Sequence, residues 1–196
     1  MAIIKSPMAL KKQELRQHFK GKWELVIEKT KKAEMLTEHL VSFLQKKTDG
    51  QPSFWCGYQA LDSEISIQEV TRRCSYLHWV YPRVEGSRLR FFVPGAQGFS
   101  QGSFGLREPV IDLAKEVLSK DISGFLIPGL AFAKNGIRLG WGQGFYDRAL
   151  AQTSAVKVGV SFSGCVVEEL PLESWDIPMD FLVTEEDVKE VRTKKG

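Results

Sequence analysis

Residues 124–150, GFLIPGLAFAKNGIRLGWGQGFYDRAL, decide how this chain is read. A short apolar run, Phe125 to Ile127, halts at Pro128-Gly129. Two more apolar residues and an Asn135-Gly136 turn lead to Gly140, Gly142 and Gly144, and then to Phe145-Tyr146-Asp147-Arg148, which reads as the first turns of a helix. A strand, a glycine-rich bend and a helix N-terminus together make a phosphate cradle, because bare backbone N–H groups approach a ligand closely there. The same glycines also suit a turn that only reverses the chain. The spacing GxGxG is neither GxxxxGK[ST] nor GxGxxG, so neither common nucleotide-binding fold is indicated. Arg138 and Arg148 flank the glycines and can face phosphates. Asp147 can hold a divalent cation through water, or can simply be a first-turn carboxylate stabilised by about 0.3–1 kcal/mol by the helix dipole.

Working outward, 196 residues at 43% hydrophobic content suit a single domain that buries roughly 70% of its unfolded surface. A net charge of +3 fits an anionic small molecule as well as weak nucleic-acid contact. Cys56, Cys74 and Cys165 are odd in number and far apart, which argues against a disulfide framework and against a zinc site. MAIIKSPMAL is too short an apolar stretch for a signal peptide, and no run approaches the roughly 18 apolar residues of a membrane span. A cytoplasmic protein with reduced thiols is expected.

Upstream, apolar residues from Leu15 to Leu44 recur near the helical period, with Gly21 as the candidate interruption and a lysine-rich opposite face. Lys12 and Arg16 stand four residues apart, so both cations share one helix face and can converge on a polyphosphate. Phe54–Gln59, Leu77–Tyr81 and Arg88–Val93 read as strands, the second ended by Pro82. Asp62-Ser63 offers caps for a helix carrying Ile65, Ile67, Val70 and Thr71. Gly98–Gly105 reads as a loop containing Phe99 and Phe104, and Ile111–Leu118 as a helix. Strand, helix, strand is the unit of a parallel sheet. The expected fold is therefore α/β: an open, mostly parallel sheet with helices on both faces, in three layers.

Downstream, Val156, Val158 and Val160 alternate as a strand, Phe181–Val183 reads as the last strand, and Glu185-Glu186-Asp187 as an acidic helix start. Asp176 before Ile177-Pro178 has the look of a turn residue. Glu64, near the end of the first strand, lies where open α/β sheets place ligands, and also fits a first-turn helix acid.

The run from Leu126 to Leu150, with its PGLAF and G-x-R-L-G-x-G-x-G-aromatic-Tyr-Asp-Arg pattern, resembles the signature of 5-formyltetrahydrofolate cyclo-ligases. The resemblance extends from Lys12 to Val183. It implies that Lys12 and Arg16, in Lys12-Gln13-Glu14-Leu15-Arg16, bind ATP phosphates together with Arg138, Leu139, Gly140, Trp141, Gly142, Gln143, Gly144, Phe145 and Tyr146. It also implies that Gln59, Glu64 and Phe145 contact the folate, with Glu64 and Arg138 carrying catalysis. Asp176 joins Asp147 around Mg2+, with Asp180 as an alternate. Gly105-Leu106-Arg107-Glu108-Pro109 is similar to the family's glycine-x-x-glutamate-proline element. Phe145 replaces a preferred tyrosine, Gln143 a glycine or lysine, and Asp62-Ser63 the usual small turn; Gly21–Lys32 lacks the usual arginine-rich segment.

The resemblance thus implies ATP-driven, Mg2+-dependent cyclisation of 5-formyltetrahydrofolate to 5,10-methenyltetrahydrofolate, with no nucleic acid or membrane as partner. The competing readings are a family member that binds nucleotide or folate with little turnover, an ATP-dependent enzyme acting on another small anion, and nucleic-acid binding by the lysine-rich helix. The last predicts steep salt dependence.

Overall fold

The fully buried run at residues 124–128 is the middle of a sheet covered on both faces. A computed structural model describes residues 7–102, 105–111 and 114–191. Two helices, α1 (Pro7–Glu24) and α2 (Lys29–Thr48), precede β1 (Phe54–Cys56), α3 (Gln68–Arg73), β2 (His78–Glu85) and β3 (Arg88–Val93). Three short strands follow: β4 (Phe99–Gln101), β5 (Arg107–Pro109) and β6 (Lys115–Val117). Then come β7 (Gly124–Pro128), β8 (Ala131–Ala133), β9 (Arg138–Leu139) and α4 (Phe145–Leu150). The chain closes with β10 (Val156–Val160), β11 (Val166–Val167), β12 (Phe181–Val183) and β13 (Val188–Glu190).

Eight strands form the central sheet in the order β13-β12-β10-β7-β1-β2-β3-β6. The five from β12 to β2 are parallel; β13 pairs antiparallel with β12 at one edge, and at the other β3 pairs antiparallel with β2 and β6 antiparallel with β3. Alternation along the inner strands feeds two cores. Trp55, Leu126, Val158, Val160 and Val183 face α2 and α3, where Leu36, Leu40 and Leu44 of α2 are completely buried. Cys56, Phe125, Ile127 and Leu182 face the other way, toward Leu150 of α4, Phe132 of β8 and Met179. Burial on both faces explains why β7 shows no polar alternation. A smaller sheet, β11-β8-β9, packs against Phe19 of α1 in a third cluster.

The expected α/β architecture is therefore present, with several local differences. Gly21 lies within α1, and the helical run breaks instead at residues 25–28, where Glu28 adopts φ 54. The cause is that α1 packs on the small sheet and α2 on the large one, so a single straight helix cannot serve both. Residues 62–67 are not helical. Ile65 and Ile67 are both buried two residues apart, the Tyr58 hydroxyl donates to the Ile65 carbonyl at 2.7 Å, and α3 starts only at Gln68. The strand expected to run to Gln59 ends at Cys56, after which the chain turns into the same loop. Pro82 does not end β2: pairing with β1 stops at Val80, so the missing N–H falls where no parallel partner needs it.

Where a helix is expected over 111–118, Lys115–Val117 is an edge strand on β3; it buries Val117 against Phe91 and pairs Glu116 with Arg90. Part of the expected loop 98–105 is the β4–β5 hairpin, in which Phe99 meets Tyr81 edge-on. Phe104, Asp112 and Leu113 lie outside the described residues, as does the tail beyond Val191. No helix starts at Glu185. Its carboxylate is buried on the Ser163 N–H and hydroxyl at 2.7 and 2.9 Å, and the chain turns through Thr184 and Asp187 into β13. The cysteines are free and buried, and no helix among the described residues is long and apolar enough to cross a membrane.

Candidate active site

Strand order places the site. After β1 the chain crosses one face through α3 to β2; after β7 it crosses the opposite face through α4 to β10 on the other side. Loops leaving neighbouring strands in opposite directions open a crevice at the strands' carboxyl ends. A cleft of about 400 Å³ occupies that place. Tyr58, Gln59, Leu61 and Glu64 line it from beyond β1, Pro128 from the end of β7 and residues 138–147 from beyond it.

α1 brings Lys12 and Arg16 to one end of this cleft, while Glu173, Trp175 and Asp176 arrive from the segment before β12. Lys12 is only 6% exposed, unlike the solvated lysines around it. Its ammonium lies 2.7 Å from Glu173 and 2.6 Å from Asp176, and the Asp176 carboxylate also accepts the Glu173 N–H at 2.8 Å. One turn on, Arg16 donates through Nε to the Gly140 carbonyl at 2.9 Å. Burial lowers the Arg16 pKa from its ordinary value, opposed by the negative charge of Glu173 and Asp176. A Cβ at Gly142 (φ +98) would stand 3.0 Å from the Arg16 guanidinium carbon, and one at Gly140 would stand 2.4 Å from Arg138. The loop needs glycines because cations are packed directly against its backbone.

Arg138 sits at the centre. Its side chain is 7% exposed, its reach to Asp147 is 3.4 Å and to the Pro128 carbonyl 3.3 Å, and Tyr146 offers a ring face at 5.1 Å. Its Nε is buried with no hydrogen-bond partner among the described residues. Both bonds are long for N–H···O, so this buried guanidinium keeps donor capacity for an anion.

At the other end the cleft is apolar, lined by Pro82 and Val84 of β2, Leu89 of β3 and Leu106. Glu64 lies between the two ends. Burial raises its carboxyl pKa, opposed by the Leu61 N–H at 3.0 Å, the Trp141 indole N–H at 2.9 Å and the charge of Arg138. Burial likewise pushes the Tyr58 and Tyr146 phenols well above their ordinary range.

Lys12, Arg16, Gln59, Glu64, residues 138–146, Asp147 and Asp176, all expected at the site, line one cleft. Two candidates fall elsewhere. Arg148 turns outward to the Ser87 and Gln143 carbonyls, and Asp180 is engaged by Lys157 beside β10. Sequence reasoning missed Glu173, Glu108 and the apolar wall. The wall had a signal: Pro82 and Val84 are two apart on one strand face, and Val84 is the cross-strand partner of Leu89. Glu108, 2% exposed, accepts the Val84 N–H at 3.1 Å and carried no role in its motif.

The cleft of this α/β protein is thus cationic at one end, where Lys12, Arg16 and Arg138 gather, and apolar at the other, where Pro82, Val84, Leu89 and Leu106 gather. The chain belongs to the 5-formyltetrahydrofolate cyclo-ligase family, whose model matches residues 9–185. The 5-formyltetrahydrofolate cyclo-ligase of Haemophilus influenzae is 29% identical over 76% of this chain and 83% of its own, and that of Escherichia coli 31% over 66% and 74%. The solution structure of Aquifex aeolicus 5,10-methenyltetrahydrofolate synthetase superposes with a TM-score of 0.77 at 31% identity, over 94% of this chain and 95% of that one. The Mycoplasma pneumoniae 5,10-methenyltetrahydrofolate synthetase shares the fold, with a TM-score of 0.71 at 22% identity over 89% and 98%.

Proposed function

We propose that this chain, as one cytoplasmic domain, converts 5-formyltetrahydrofolate to 5,10-methenyltetrahydrofolate at the expense of ATP, releasing ADP and phosphate. The observation that carries the proposal is the buried Arg138 guanidinium, its Nε without a partner among the described residues, between the cationic end of the cleft and Glu64. The formyl oxygen is a poor leaving group. Its attack on the γ-phosphorus expels ADP and turns that oxygen into a phosphate ester on an iminium-like carbon. The neighbouring arylamine nitrogen adds to the carbon, phosphate departs with the oxygen, and the amine proton is lost.

Lys12, Arg16, Arg138 and the N–H groups of residues 140–144 bind and orient the phosphates, where positioning and charge stabilisation do most of the work. The apolar wall and Gln59 take the folate ring system. Glu64 orients the arylamine and accepts its proton, a task suited to a carboxyl whose pKa is raised.

Asp147 and Asp176 share the cleft, each already facing a cation, and no group of three or more His, Cys, Asp or Glu side chains able to hold an ion occurs among the described residues. Two carboxylates are a donor set that fits Mg2+, which keeps water and shares its coordination with phosphate. Held by Asp147 and Asp176, it would neutralise phosphate charge.

Mixing protein, ATP, Mg2+ and 5-formyltetrahydrofolate should produce the near-ultraviolet absorbance of the methenyl product. Asp147→Asn should cut that rate by roughly 10²-fold or more, as loss of a metal-side ligand does. Unchanged activity in Asp147→Asn would remove it from the metal, and ligand-induced stabilisation without ADP release would identify a binding protein instead.

A further inference from the structure

Trp141 stands on the glycine loop, between Gly140 and Gly142, yet its indole N–H reaches across the cleft to Glu64 Oε1 at 2.9 Å. An aromatic side chain 36% exposed contributes little to a core, and this one is fixed by specific partners instead. The Lys20 ammonium lies 4.7 Å from its ring, and Arg16 holds the preceding carbonyl at 2.9 Å. On either side of it, Arg138 and Arg16 press closely on the backbone: a Cβ at Gly140 would meet the Arg138 guanidinium at 2.4 Å, and one at Gly142 would stand 3.0 Å from that of Arg16. Phosphate seated on those arginines and on the loop N–H groups thus acts on the same three residues that carry Trp141.

We infer that Trp141 is a positioning residue: its indole N–H holds the Glu64 carboxylate in place and transmits the seating of phosphate on the glycine loop to the acid at the reacting nitrogen. This rests on the reading of Glu64 given above. Glu64 has its other oxygen on the Leu61 N–H, so the two donors together fix the carboxylate plane, and the second of them belongs to the phosphate-binding element.

The test is Trp141→Phe, which keeps a ring at a partly exposed position and deletes the donor. The expected result is an unfolding midpoint near that of the parent, a KM for ATP within about twofold, and a kcat lower by roughly tenfold or more, the loss typical of one hydrogen bond to a charged group. The rising limb of kcat against pH should also move to higher pH, because the lost N–H favoured the ionised carboxylate. The other groups facing Glu64 are Arg138, which favours the charged form, and Tyr58 and Tyr146, whose phenols stay neutral in this range. That limb therefore reports Glu64. A kcat and limb unchanged in Trp141→Phe, or an effect confined to the KM for ATP, would overturn the inference. Glu64→Gln separates the two levels. If Glu64→Gln keeps parental activity, the role of Glu64 fails; if it is inactive while Trp141→Phe matches the parent, only the positioning role fails.

Discussion

Arg138 shows how much a single side chain can be asked to do and how its environment decides whether it can. Planar, always charged and nine-tenths buried, it is held by two long hydrogen bonds and one ring face, which leaves its fork available to a phosphoryl group. Arg138→Lys keeps the charge but loses the fork. A fall in kcat/KM of about 10²-fold is expected, with Arg138→Met falling further, toward 10³-fold, as when an anion-stabilising donor is deleted. Steady-state kinetics on variants with parental circular dichroism check this, and a lysine variant as active as the parent would show that point charge alone suffices. Arg138, Lys12 and Arg16 were legible in the sequence because a glycine run and a four-residue helical spacing announce them. Glu173 was not: its partner Lys12 is 161 positions away, and nothing local distinguishes it from a surface acid.

At the scale of elements, legibility followed burial. β7, β3, β10 and α4 could be read because a fully buried run, a turn-bounded apolar stretch, a period of two and a glycine run ending at the helix N-cap each leave a local mark. β6 could not, since a three-residue strand with one buried side chain is defined by the free edge of β3, not by its own composition. The same reasoning explains the loop at residues 62–67, whose two isoleucines are buried two residues apart outside any helix or strand. The glycine loop is the element most exposed to substitution. Gly142→Ala adds a Cβ at φ +98 and places it 3.0 Å from the Arg16 guanidinium, so both the backbone and an arginine assigned to phosphate must shift. The strain should cost about 1–3 kcal/mol, lowering the unfolding midpoint by roughly 2–4 °C per kcal/mol. The KM for ATP should rise at the same time. Thermal unfolding and kinetics on one preparation test the pair, and a stable variant with unaltered KM would show that the loop does not need its positive φ.

Across the whole molecule, three regions remote in sequence supply one balanced set of charges. α1 gives Lys12 and Arg16, the β7–β10 crossover gives Arg138 and Asp147, and the segment before β12 gives Glu173 and Asp176. The cations lie on the acids: Lys12 between Glu173 and Asp176, Arg138 beside Asp147. A divalent cation arriving alone meets carboxylates already paired with an ammonium and a guanidinium. A triphosphate arriving alone meets cations already paired, with acids behind them. Arriving together they can exchange partners, phosphate taking the cations and metal the carboxylates, so that no buried charge is left unpaired at any stage. Binding should therefore be strongly synergistic. The unfolding midpoint should rise little with Mg2+ alone, modestly with ATP alone, and by clearly more than the sum with both, since stabilisation follows ligand occupancy. Lys12→Met sharpens the test. Removing the ammonium leaves two acids facing each other and should destabilise the protein by about 3–5 kcal/mol. Mg2+ alone should then recover part of that loss, which it cannot do in the parent. Additive shifts in the parent, together with no response of Lys12→Met to the metal, would mean that the paired charges only hold α1 to the sheet and take no part in seating the nucleotide.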